Sequence, residues 1–355
     1  MGGIAVRLFE TRRIILTSIL TLILIAGVVA IAGCGGGEAT TTSATEAVTT
    51  TASTGGSAET TTTAATGEAK KIIVATAVYG SAAVKECVDY LVEDAKAAGY
   101  EIDIRDTAGD FDKLIGVYDT AISEKADLIV NAFVDINQLQ PAYEAAQKAG
   151  IPVIGLDANP DPKQATNIQS DNTIVGQLMA DNLAAAIGET GNVILFKYDA
   201  HPGVNERMKA ATDTLAAKYP NIKIISTHAI KYPGAIEDGR EATANYLAAN
   251  PKGSLAGIIF GFDEPANGSV SAIREAGRTA DVKIVSTDAT AEFLIDVVKD
   301  DSPWVGSVAQ DWKAIAQRAV DIMGDIFAGS GPALGSNEKV APVFVDKTNA
   351  AQFVR

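Results

Sequence analysis

The chain has 355 residues, with 44 acidic against 29 basic side chains and a formal net charge of −15. So acidic a protein is repelled by nucleic acid and by anionic lipid, so neither is expected as a partner. Two histidines, His201 and His228, stand in no metal-spaced motif, and neither a G-x-S-x-G elbow nor a G-x-x-x-x-G-K-[ST] phosphate loop occurs, so no metal, no cofactor and no enzymatic activity is expected.

From Ile14 to Gly33 the chain is apolar, interrupted only by Thr17, Ser18 and Thr21 and preceded by Arg7, Arg12 and Arg13. The length is about that of a membrane span. A basic start, an apolar stretch and small residues at its end, however, describe a secretory signal. "IAGC", Ile31 to Cys34, resembles the lipobox of bacterial lipoproteins. That resemblance implies a signal peptide at 1–33, with Cys34 receiving a diacylglyceryl group and becoming the first residue after cleavage. Only cysteine supplies a thiolate for such alkylation. The competing reading is a single-span anchor with an incidental cysteine. Cleavage would remove three arginines and Glu10, taking the net charge from −15 to −17. Cys87 would then be left alone, with neither an intramolecular disulfide nor a cysteine-based zinc site. It falls in the helical series Val84, Cys87, Val88, Leu91, Val92 and reads as a small buried hydrophobe.

Residues 34–69 are the lipobox cysteine followed almost entirely by Gly, Thr, Ala, Ser and Glu, with no aromatic residue and a lone Val48. Such a segment buries too little apolar surface to offset the entropy of ordering it and reads as a disordered tether. As a flexible coil it would span roughly 30 Å r.m.s..

From Lys70 the texture changes. Strands are expected at 71–77, 101–104, 127–132, 151–156, 192–197, 222–227, 256–261, 282–287 and 304–310. Segments of helical period lie between them, at 81–98, 111–123, 139–149, 172–187, 204–218, 236–249, 265–276 and 314–328. An edge-like strand near 167–170 leads into one of these helices. Continuous apolar strands alternating with helices imply parallel sheets covered on both faces, with right-handed crossovers. This much chain is large for one core, so two α/β lobes are expected.

In open parallel sheets ligands bind at the carboxyl ends of strands. The residues just past the expected strands are Tyr79, Asp157, Tyr198 to His201, Phe262 with Asp263, Asp288 and Gln310. The set is acidic, polar and aromatic. Carboxylates and amides form paired hydrogen bonds with vicinal hydroxyls, and aromatic faces pack on C–H faces. It suits a polyhydroxylated molecule.

Read in order, "GIPVIGLDA" (150–158), "SDN" with Gly176 (170–176), "NERMKA" (205–210), "FGFDEPANGSVSAI" (260–273), "VKIVSTDAT" (282–290) and "VGSVAQD" (305–311) resemble the type I periplasmic sugar-binding proteins, the ribose- and galactose-binding family that feeds ABC importers. The resemblance implies two Rossmann-like lobes with an interlobe cleft and a three-strand hinge. One lobe would comprise 70–170 with 311–339, the other 171–310 with 340–355. It gives Asp157, Arg207, Asp288 and Gln310 sugar-binding roles. Where the family's ribose binders carry two adjacent aromatics, this chain has Ala83 and Val84. An arginine is replaced by Ala158 and an asparagine by Phe262. A cleft of similar design but different specificity follows, with Phe262, Tyr79, His201, Tyr198 and Tyr232 as replacement contacts.

The function expected is an extracytoplasmic, lipid-anchored, monomeric solute-binding protein. It would capture a monosaccharide or related polyol by lobe closure and deliver it to an ABC transporter permease. The alternatives are a ligand-sensing receptor for a kinase or chemoreceptor, or a binder of a nucleoside or furanosyl signal. A glycosidase using Asp157 and Asp288 would need both carboxylates at one bond. A repressor would need a helix-turn-helix and a basic face where the anchor and tether stand.

Overall fold

The computed structural model describes residues 68–354. The expected signal peptide, Cys34 and the tether up to residue 67 lie outside the described residues. Among the described residues, no helix is long and apolar enough to cross a membrane.

The chain runs β1 (Lys71–Thr76), α1 (Ala82–Ala97), β2 (Glu101–Asp106), α2 (Phe111–Ser123), β3 (Leu128–Ala132), α3 (Gln140–Lys148), β4 (Val153–Leu156) and β5 (Thr166–Ser170). It continues with α4 (Asn172–Ala186), β6 (Gly191–Lys197), α5 (Pro202–Lys218), β7 (Ile222–Ala229), α6 (Ala235–Ala249), β8 (Gly257–Phe260), α7 (Asp263–Glu275), β9 (Lys283–Thr287), α8 (Ala291–Val297) and β10 (Trp304–Ala309). The last elements are α9 (Trp312–Phe327), β11 (Ser336–Val340) and β12 (Val343–Val345).

Two six-stranded sheets result, with orders β11-β5-β4-β3-β1-β2 and β12-β10-β9-β8-β6-β7. The first is wholly parallel; in the second only β12 runs antiparallel, against β10. The fold is α/β, two doubly wound lobes facing one cleft. The central strands β1, β3 and β8 are buried along almost their whole length, which is why they read as continuous Ile/Val runs. Helices α1 and α9 pair on one side of the first sheet and α2 and α3 pair elsewhere on it; α4 with α5 and α6 with α7 pair on the second.

The chain passes between sheets three times: from β5 to α4, from β10 to α9, and from β11 to β12. The strand at 166–170 is not at an edge. It lies between β4 and β11 and is fully buried; Thr166 bonds to Ser336 and Asn167 to Ala158 and Asn337, while the Ser170 hydroxyl has no partner. The edge belongs to β11, which the sequence reading did not contain.

Close pairing of α4 with α5 and of α6 with α7 rests on glycine. A Cβ at Gly176 of α4 would strike the carbonyl oxygen of Arg207 in α5, and one at Gly268 of α7 would strike that of Ile236 in α6. The first contact fixes the height of α5, and so of Arg207, over the second sheet.

Candidate ligand-binding cleft

One cavity, enclosing about 580 Å³ with its mouth included, lies between the carboxyl ends of the two sheets. Asp157, His201, Arg207, Phe262, Asp288 and Gln310 all line it, as do Tyr198 and Tyr232. Tyr79 does not. The strand ends at Thr76, Val78 takes the cleft position, and Tyr79 turns outward, its hydroxyl donating to Asp89 Oδ1 at 2.6 Å with Lys85 over its ring. The rule of the residue past the strand failed here by one position.

Three lining residues share a backbone device. Phe133, Asp157 and Asp288 directly follow β3, β4 and β9, and each has positive φ (62°, 48° and 118°). Each N–H still continues the ladder, to Leu156, Ile168 and Val308 carbonyls at 2.8, 2.8 and 2.9 Å. The left-handed turn then carries the side chain away from the strand direction toward the cleft. Such conformations are costly for residues with a Cβ and persist where the surroundings enforce them.

Arg207, in the second turn of α5, is almost wholly buried. Its Nε donates to Asn172 Oδ1 at 2.8 Å and to the Gly203 carbonyl at 3.2 Å, its Nη1 to the Gly261 carbonyl at 3.1 Å, and its Nη2 to Gln310 Oε1 at 3.5 Å. All four acceptors are neutral. Gln310 in turn donates from Nε2 to Asp288 Oδ1 at 2.8 Å. Arg207, Gln310 and Asp288 thus form one chain of contacts linking α5, the β10–α9 crossing and the β9 end.

Asp157 faces this chain from the first lobe. It is 1 % exposed and its Oδ1 has no hydrogen-bond partner. Burial pushes its carboxyl up to about 6, against the opposing pull of Arg207. Asp288 is only half-buried by surface, but it is enclosed enough that desolvation raises it well above the usual carboxylate range, again opposed by Arg207. His201 caps α5: its Nδ1 accepts from Val204 N at 3.3 Å, which leaves the proton of the neutral ring on Nε2. That Nε2 stands 3.6 Å from Asp157 Oδ2. Burial, then Arg207, lowers the imidazole to about 3, so the contact is not an ion pair at neutral pH. The cleft therefore presents one guanidinium, two reluctant carboxyls, an amide and a neutral N–H donor.

Sequence reasoning missed Phe133, Trp312 and Phe111. Phe133 lies 5.3 Å from Trp312 and 6.0 Å from His201, centroid to centroid, and the buried Trp312 Nε1 has no partner. Applying the strand-end rule to β3 would have found Phe133; Trp312 stands two residues past Gln310, at the start of α9.

Asp263 was read as a strand-end candidate but turns into the second lobe. Its carboxylate accepts from Ser286, Ser307 Oγ at 2.8 Å, and Thr290 N and Oγ1 at 2.7 and 3.0 Å. It ties the 288–290 turn to the start of α7 and so holds both Asp288 and Phe262 in place. Cys87 is buried and free, and burial pushes its thiol up. Among the described residues, no cluster of three or more His, Cys, Asp or Glu could hold a metal ion.

Residues 72–331 match the model of a periplasmic binding protein domain. The chain is 24% identical to a xylitol-binding protein of Mycolicibacterium smegmatis over 71% of this chain and 69% of that protein. It is 26% identical to a D-apiose import binding protein of Actinobacillus succinogenes over 79% and 89%. A solved ABC transporter solute binding protein from Agrobacterium vitis, with bound allitol, superposes at a TM-score of 0.74 with 24% identity, covering 80% of this chain and 98% of that one. With the domain match running through both sheets and the cleft between them, the chain belongs to the periplasmic binding protein family and has its type I fold.

Proposed function

We propose that this protein binds a neutral monosaccharide or related polyol outside the cytoplasm and hands it to an ABC transporter permease. The carrying observation is the set of Asp157, Arg207 and Gln310, all buried, with the half-buried Asp288, contributed by both lobes and converging on one cavity. Vicinal hydroxyls can donate to the unpartnered Asp157 Oδ1 and accept from the guanidinium and His201 Nε2, while Phe133 and Trp312 offer faces for C–H groups. The relatives' named ligands, xylitol and D-apiose, are of this class.

The lobes, 70–170 with 311–339 and 171–310 with 340–355, open and close about the three crossings. Glu264 Oε1 accepts from Ala82 N at 3.3 Å across the cleft, a contact that opening would break. Lipid at Cys34 holds the protein at the membrane, and the tether lets it reach the permease. Cys34→Ala should leave an unprocessed precursor that takes up no labelled fatty acid; label entering the variant refutes the anchor.

A thermal-shift screen of sugars and polyols tests the binding reading. Ligand at 100 times its Kd adds roughly 2.7 kcal/mol of stability. No shift with any neutral sugar or polyol would defeat it.

A further inference from the structure

We infer that the preferred ligand is a neutral, hydroxylated head group bearing an apolar substituent, not an unsubstituted sugar; this rests on the sugar-binding reading above and narrows it.

The argument starts from strand order. In each sheet the crossing strands, β5 and β11 or β10 and β12, stand at one side. Moving away from them, the first sheet runs β4, β3, β1, β2 and the second β9, β8, β6, β7. Three of the hydrogen-bonding groups come from the crossing side, Asp157 after β4, Asp288 after β9 and Gln310 after β10; Arg207 and His201 belong to α5 and its cap, after β6, but reach back to Gln310 and Asp157. The outer half is built differently. Val84 and Phe111 come from the helices after β1 and β2, and Phe262, Tyr198 and Tyr232 follow β8, β6 and β7. Tyr198 lies 5.9 Å from Tyr232 and 6.2 Å from Phe262, ring to ring, so these form one aromatic wall. Tyr232 packs against the cores of both lobes, so the wall closes over the outer half. Ser81 and the two phenol hydroxyls are its only side-chain polar groups among the described lining residues.

A bare polyol filling both halves would leave hydroxyls against this wall, with few partners for desolvated groups. A thioether, alkyl or aryl group fits it, and buries apolar surface on both lobes at once. Charge narrows the class further. Arg207 is the only cationic side chain among the described lining residues if His201 is neutral; three of its five N–H groups already meet neutral oxygens, and the carboxyls of Asp157 and Asp288 line the same cavity. A phosphate on the outer half would meet no cation along the aromatic wall, so the substituent is uncharged.

Calorimetry on the intact mature chain tests this with D-ribose and xylitol as bare polyols. 5-Methylthioribose and phenyl riboside carry an apolar group at one end or the other, and ribose 5-phosphate carries a charge. At roughly 0.8 kcal/mol per buried methylene-sized group, one substituted probe should bind about tenfold or more tightly than D-ribose. Ribose 5-phosphate should not bind. Phe262→Asn, on one lobe, and Phe111→Ala, on the other, should each cut that ratio to about threefold or less. If D-ribose or xylitol binds as tightly as both substituted probes, the inference falls while the sugar-binding reading stands. A gain that both variants retain, or tight binding of ribose 5-phosphate, overturns it too. If no probe binds, the inference falls, and the thermal-shift screen across sugars and polyols decides the sugar-binding reading separately.

Discussion

Asp157 is the residue at which binding and stability should pull in opposite directions. Its carboxyl is buried, lacks a partner at Oδ1, and titrates at about 6 because burial disfavours the charged form. An unfolded aspartate titrates near ~3.9. The folded value lies above the unfolded one, so between about pH 4 and 6 the folded state binds more protons, and stability falls as pH rises through that window. Above it the cost of holding the anion is fully present, of order 1–3 kcal/mol. Asn has the same shape, carries no charge and tolerates the left-handed backbone found here, φ 48°. Asp157→Asn should therefore make the ligand-free protein about 1–3 kcal/mol more stable at pH 7.5 and no more stable near pH 4. The same change should weaken ligand binding by roughly 10- to 100-fold, since it removes a charge-assisted acceptor. Urea unfolding at the two pH values, with m unchanged, measures the first effect, and calorimetry the second. A variant no more stable than wild type at pH 7.5, or a gap equal at both pH values, would refute the reasoning.

Arg207→Met should abolish measurable binding and also lower stability by about 2–4 kcal/mol, because Asn172 Oδ1 and the Gly203 and Gly261 carbonyls lose a buried donor; urea unfolding reads it, and wild-type stability in the variant would show these bonds to be idle. Gly176→Ala should push α5 away from α4 and weaken binding through Arg207 without touching the ligand, visible as a raised Kd that Gly176→Ser reproduces; unchanged Kd in both would show that α5 height is not set there. Asp263→Asn should loosen the 288–290 turn and lower affinity, more so for ligands that engage Asp288, as calorimetry across the sugar series would show; an unaltered series would limit Asp263 to packing.

Much of the fold was legible because both lobes bury their central strands on two faces, so "KIIVAT" and "GIIF" appear as uninterrupted apolar runs between amphipathic helices. The elements that escaped are short or polar. β11, "SNEKV", has no apolar run and owes its place to pairing with β5, more than a hundred residues earlier. β12 has three residues and α8 seven, too few for periodicity to register. The polar strand β5 looked like an edge because its Thr and Asn side chains imply solvent, whereas their partners are Ser336 and Asn337 on β11. The cleft residues were legible for a different reason: carboxyl ends of parallel strands converge, so a residue one step past a strand faces the cleft whatever its type. That rule locates Asp157, Asp288 and Gln310; it fails at Tyr79, where β1 stops a residue early and Val78 takes the place, and at Asp263, whose carboxylate turns into the second lobe. What no local pattern could reveal is the left-handed backbone at Phe133, Asp157 and Asp288. It accompanies neighbouring strands that capture each N–H while the side chain turns into the cleft. The strain sits at the residues lining the cleft, and a change relieving it should stabilise the protein at the expense of the site's aim.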